Sequence, residues 1–246
     1  MATRNRSGAT LESSESIFGK SPPPRPEDVL FRSAESGTNA CISYWHNVNY
    51  PYKKGFRVAA RRLAMQVCET HSDQDSLVYP ILYLYRHHLE LVLKDVFRTI
   101  ARLLDHPISD DDEWNLGRHD LAPIWEMIAP MLEPVCRLGG ADGIPPEDIE
   151  GVRSYLSQLK EHDPDGQRFR YATIKVRPPK KSGLPVKHER SIKEELRLVN
   201  IRVFATHMEQ LADYLDGLES WAANLLQTKV DMESDLERDM ESDYSG

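Results

Sequence analysis

Apolar residues in this chain return at a helical interval wherever they cluster. In the longest run, residues 79–104, Ile81, Leu82, Leu84, Leu89, Leu91, Val92, Leu93, Val96, Phe97, Ile100, Leu103 and Leu104 cover most of a helix circumference. A helix apolar on most sides has neighbours on most sides, so this is expected to be the central helix. Its expected start is just after Pro80, because a first-turn proline gives up an N–H that has no intrahelical partner. One stripe is polar: Arg86, Glu90, Lys94, Arg98 and Arg102 recur every fourth residue, with His87 and His88 beside the first.

Four more segments share the period. Residues 55–68 bring Phe56, Ala59, Ala60, Leu63, Val67 and Cys68 to one face. Residues 121 to about 135 do so with Leu121, Ile124, Trp125, Ile128, Met131 and Leu132, and Pro130 is expected to kink or split that helix. Residues 145–162 open on two prolines and acids, which a helix N-terminus tolerates. Residues 191 to about 228 read as a long last helix, with Ser191 and Glu194 in the spacing of a capping box. Residues 106–117 and 177–188 read as loops, residues 167–176 as an extended piece with an edge strand, and residues 27–36 as the place for a short helix. Few strand signals compete, so the expected class is all-α, an antiparallel bundle of about five helices. The expected organisation is a disordered or irregular segment at 1–39, a bundle at 40–228 and an acidic tail at 229–246. Phe31, Tyr44, Trp45, Tyr50 and Tyr52 are expected to lay aromatic surface on the core.

Charge changes the picture. The net charge is −8, but residues 231–246 hold seven acids against Arg238, leaving the rest of the chain at −2. Residues 166–202 hold eleven Lys or Arg and three Glu, a net +8. Segregation of this kind points to an exposed basic segment, with RNA as a possible partner, and to a mobile acidic tail that either shields this segment or serves solubility alone. No apolar run reaches the ~18 residues of a membrane span, and the N-terminus has no apolar core of a secretory signal. Cys41, Cys68 and Cys136 are odd in number and far apart, which fits reduced thiols in the cytoplasm and gives no zinc site. Neither a Gly-rich phosphate loop nor a Gly-x-Ser-x-Gly elbow is present, so no cofactor is expected.

Three groups of residues could carry chemistry. The Arg86–Glu90–Lys94 stripe reads either as an ion-pair ladder where a buried helix meets water, at a few tenths of a kcal/mol per pair, or as a basic pocket in the bundle. His87 and His88 point about 100° apart on a helix and cannot share one metal from one face, so no metal site is expected. Asp120, or Asn115 before it, could cap the helix at 121, and His119 could contact a phosphate. Arg168, Phe169, Arg170 and Tyr171 pair two guanidiniums with two aromatics. They either hold bases or a phosphate or pin a loop to acids such as Asp163.

Three segments together resemble the HEPN-like superfamily, in particular its uncharacterised bacterial members. They are residues 78–94 (VYPILYLYRHHLELVLK), 119–125 (HDLAPIW) and 163–171 (DPDGQRFRY). The resemblance implies a helical bundle that often forms a homodimer. It also implies one of two roles: a metal-independent endoribonuclease of a defence or toxin setting, or a non-catalytic module that binds RNA or a protein partner. The family's Arg-x(4–6)-His motif falls on Arg202 and His207, although Val203 departs from the polar residue that usually follows the Arg. The two side chains lie about 140° apart on an ideal helix. Under this reading the RNA contacts are Arg86, His119, Arg168, Arg170, Tyr171, Arg177, Lys180 and Lys181.

Overall fold

The structure, a computed structural model, describes residues 23–27, 29–31, 33, 37–42, 44, 47–176 and 185–244. Two compact units are present, Met1–Tyr44 and Trp45–Gly246. The described residues of the first form turns, bends and coil without a helix or strand, and of the short helix expected at 27–36 residues 27, 29–31 and 33 are described and are not helical. Phe31 and Tyr44 are exposed, and in the second unit so is Tyr52. No period directs these aromatics inward, and they do not supply the core. The expected disorder of residues 1–22 lies outside the described residues.

The second unit is mostly helical: α1 (Asn49–Thr70), α2 (Gln74–Leu103), α3 (Asp110–Gly117), α4 (Leu121–Ile128), α5 (Leu132–Leu138), α6 (Pro146–His162) and α7 (Ile201–Tyr244), with strands β1 (Thr173–Val176) and β2 (Lys187–Arg190) between α6 and α7. The all-α expectation holds at this level. α2 is the hub, packing against α1, α4 and α7, while α4 also packs against α6. Tyr85, Leu89, Val92, Leu93, Val96 and Ile100 on α2 are fully buried, and they meet Trp125, Ile128, Leu215 and Ala222 from its neighbours in one cluster. Among the described residues no helix is long and apolar enough to cross a membrane.

Several boundaries differ from the expectation. α2 begins at Gln74 and runs through Pro80. Leu77 and Val78 pack against the core, and their burial offsets the backbone bond that Pro80 cannot donate. Residues 110–117 are helical, not a loop. Ser109 and Asp112 form a reciprocal capping box, and acids fill the first turn. The 121–138 stretch breaks at Pro130, where a single 3-10 turn (Ala129–Met131) separates α4 from α5.

The largest correction is at Ser191. No helix starts there: Ser191 is buried, its N–H donates to the Ala172 carbonyl, and its own carbonyl accepts from Arg168 Nη1. It anchors the base of an antiparallel hairpin in which Thr173 pairs with Arg190 and Val176 with Lys187. β2 lies in what reads as loop from sequence. α7 starts ten residues later, where Asn200 Oδ1 accepts the Val203 N–H as an N-cap does. It then continues as helix through the acidic segment to Tyr244. Beyond Leu226 its apolar residues Val230, Met232, Leu236 and Met240 are exposed.

Candidate functional site

The three segments that carry the family resemblance meet at one place, on the polar stripe of α2. Arg86 and Glu90 are each only 3% exposed. The water-edge ladder expected from spacing is therefore an interior ion pair. Arg86 Nη1 donates to Glu90 Oε2 at 3.1 Å, and Nη2 donates to the backbone carbonyl of His119. Arg86 Nε lies 2.9 Å from Asp163 Oδ2, off the hydrogen-bonding direction, so neither atom has a hydrogen-bond partner there. Asp163 is held instead through Oδ1, which accepts the Arg168 N–H at 2.8 Å. Burial pushes the Asp163 carboxyl up from its ordinary value, only partly opposed by the Arg168 N–H and the Arg86 charge.

Glu90 is the better-served carboxylate. Its Oε1 accepts from Lys94 Nζ at 2.7 Å and from His119 Nδ1 at 2.9 Å. Burial works to raise its pKa, but the hydrogen bonds from Lys94 and His119 outweigh it and hold Glu90 below the usual glutamate value. An ionised carboxylate only accepts, so His119 carries its proton on Nδ1 toward Glu90. That leaves Nε2 on a side chain that is 52% exposed. A buried carboxylate fixing one imidazole nitrogen while the other faces outward is the orienter–base half of an acid–base centre. Gly166 is part of the fit: its φ is +71°, and a Cβ there would stand 3.0 Å from Arg86 Nη1 and 3.1 Å from His119 Cβ.

Beside this cluster lies an aromatic stack. His87 stacks on Tyr83 with ring centroids 5.7 Å apart and meets Phe56 edge-on. The Arg170 guanidinium sits 5.4 Å from the ring centroids of both Tyr83 and Tyr171. Burial lowers the His87 pKa; nearby Glu90 acts against this, and the charges of Arg86, Arg170 and His119 add to it. Arg168, Arg170 and Tyr171 also line a cleft of about 970 Å³ together with Arg190, Lys193 and Arg197, which outnumber its acids Asp75 and Glu194.

The remaining candidates fall elsewhere. Arg202 reaches the Cys68 carbonyl, whereas His207 Nδ1 pairs with the Tyr155 hydroxyl at 2.8 Å. They line different hollows, one with Cys68 and His71, the other with Tyr155 and Phe169. Arg177, Lys180 and Lys181 lie outside the described residues. Asp120 caps α4 through the Ala122 N–H and pairs with Lys160. Sequence reasoning missed Glu90 and Asp163 as the centre of the site. The i,i+4 spacing of Arg86, Glu90 and Lys94 was the available signal. Among the described residues no group of three His, Cys, Asp or Glu is placed to hold a metal ion. Compared with protein families, with curated proteins and with solved structures, the chain shows no match.

Proposed function

We propose that this chain is an HEPN-like helical protein that binds RNA, with His119 as its acid–base group. One observation carries the reading: Arg170 lines the basic cleft and also lies over Tyr83, on which His87 stacks. Unstacked bases find aromatic and guanidinium planes at Tyr83, Arg170 and Tyr171. Phosphates find Arg190, Lys193 and Arg197. His119 Nε2 takes the 2′-OH proton, O2′ attacks phosphorus, and the P–O5′ bond breaks. The products are a 2′,3′-cyclic phosphate and a 5′-hydroxyl that takes its proton from solvent. Arg202 and His207, the pair that the family motif suggests, hold different partners and do not form this centre within one chain.

The test is binding of fluorescent single-stranded RNA, followed by incubation of total RNA in EDTA. Arg170→Ala and Tyr171→Ala should each weaken binding by about tenfold, the scale of one lost base stack. His119→Ala should abolish chelation-resistant cleavage while His207→Ala keeps it. Unchanged affinity in Arg170→Ala sinks the reading. Binding without cleavage by the unaltered chain removes the role of His119 and leaves RNA binding.

A non-catalytic dimerising module is the second reading, favoured by the exposed stripe Met232, Leu236 and Met240 on α7. Seven acids per copy along that segment oppose self-pairing. Sedimentation at low and high salt separates the two readings, since a dimer built there tightens as salt rises.

A further inference from the structure

Leu218, Leu225, Met232, Leu236 and Met240 fall on one strip of α7, within about 80° of arc. The surroundings of that strip change along the helix. Leu218 is buried and Leu225 packs against the core, whereas Met232, Leu236 and Met240 are 61%, 62% and 61% exposed. α2 ends at Leu103, whose carbonyl accepts from Lys229 Nζ, so the strip runs on past the end of the helix that buries it. Residues 231–246 hold seven acids against Arg238, a net −6. A surface that covers this strip must offer apolar contact and positive charge together.

The basic cleft has that composition. Its Arg190, Lys193 and Arg197 are exposed and have no ion-pair partner among the described residues. Tyr79, Tyr171 and Leu198 line it as well, and they are 48%, 52% and 92% exposed. A groove of this kind takes an amphipathic helix through anchors about one turn apart, which is the spacing of Met232, Leu236 and Met240. A single copy cannot make the contact along a continuous α7. Gln74 and Ile201 line the cleft, while Lys229 is held at Leu103 and Asp105, at the other end of α2. The helix rise puts Met232 about 47 Å and Met240 about 58 Å from Ile201 along its axis.

We infer that the acidic end of α7 occupies the basic cleft of a second copy. Met232, Leu236 and Met240 lie against Tyr79, Tyr171 and Leu198, and the carboxylates face Arg190, Lys193 and Arg197. Each copy has one tail and one cleft at opposite ends, so two antiparallel copies make both contacts and close as a two-fold dimer. Cations covered by a tail are closed to RNA. The inference does not rest on RNA binding, and its test contains none, so its failure leaves that reading standing.

The experiment is sedimentation velocity of the full chain at ~0.05 M and ~0.5 M sodium chloride. The chain should be dimeric at the lower salt and shift to monomer at the higher. A chain ending at Val230, which loses no core residue, should be monomeric at both. So should a full chain carrying Lys193→Glu and Arg197→Glu, both at exposed positions. Mixing these two variants at low salt should restore a dimer, since one supplies the cleft and the other the tail. It should need roughly 100-fold more protein than the full chain does, because one contact of two remains. Any of four results overturns the proposal: a full chain that is monomeric at low salt, a dimer that survives loss of residues 231–246, a dimer that tightens as salt rises, which marks tail-on-tail pairing, or a mixture that stays monomeric.

Discussion

Adjacent histidines on α2 border two differently built charge networks. On the His87 side, Glu90 collects donors from Arg86, Lys94 and His119, and the buried charges close on one another. On the His88 side, Lys53 and Arg57 from α1 are shared among Asp95, Glu209, Asp213, Asp216 and Glu219, and the buried His88 Nε2 has no hydrogen-bond partner. Both regions border the same apolar core and use the same residue types, so composition does not separate them. What separates them is where the partners come from: the first network closes along α2 and onto His119 and Asp163, and the second spans α1 and α7. The first region therefore positions one open imidazole, and the second ties α1 to α7.

The comparison breaks most severely if the closed network is opened. Arg86→Met leaves Glu90 and Asp163 without their shared buried cation and should cost about 3–5 kcal/mol of stability in urea unfolding. Lys53→Met, in the other region, should cost less, about 1–3 kcal/mol, because Glu219 keeps 19% of its side chain in water. Equal losses would mean that the two regions are electrostatically alike. Gly166→Ala should cost about 1–3 kcal/mol through its left-handed backbone and the contact with Arg86. It should also displace His119, visible in that ring's NMR shifts while His88 stays unmoved.

Proton linkage separates the regions by pH. His87 and His88 both have folded pKa values below the ordinary histidine value of about 6.5, with burial the largest cause. For a base depressed by folding, the unfolded chain binds more protons, so stability is whole above pH ~6.5 and falls as pH drops toward the folded values. Glu90 is depressed below 4.5. For an acid that sign places its contribution above its unfolded pKa and loses it as pH falls through the folded value. Urea midpoints should therefore fall in a first stage below pH ~6.5; in a second stage below pH ~4.5 the loss from Glu90 is opposed by protonation of Asp163 and Glu219, whose pKa values burial raises. His88→Gln should flatten only the first stage. The smallest effect is expected at Arg153, which bridges Glu126 and Glu150 on the surface. Arg153→Ala should leave the urea midpoint where it is, the usual outcome for an exposed pair.

Much of the helical layout is legible because helical period is a local property. Ile124, Trp125 and Ile128 mark α4 by spacing alone, Pro130 marks its end, and Asp120 marks its cap. The structure departs from the local pattern where a distant contact overrides it. Ser191 has the neighbours of an N-cap, but Arg168 and Ala172 take its backbone for the hairpin. Pro80 has the look of a helix start, but docking of Leu77 and Val78 carries the helix past it.

The sequence by itself determined that α2 is apolar on most sides, that Arg86, Glu90 and Lys94 share one of its faces, and that His87 and His88 cannot. Each follows from 3.6 residues per turn acting within a few residues. Only the tertiary structure decided that Arg86 and Glu90 lie inside, that His119 reaches Glu90 across 29 positions, and that His88 Nε2 is left without a donor. Those outcomes depend on which side chains arrive from other helices, and a bond between distant residues leaves no period in the sequence to read.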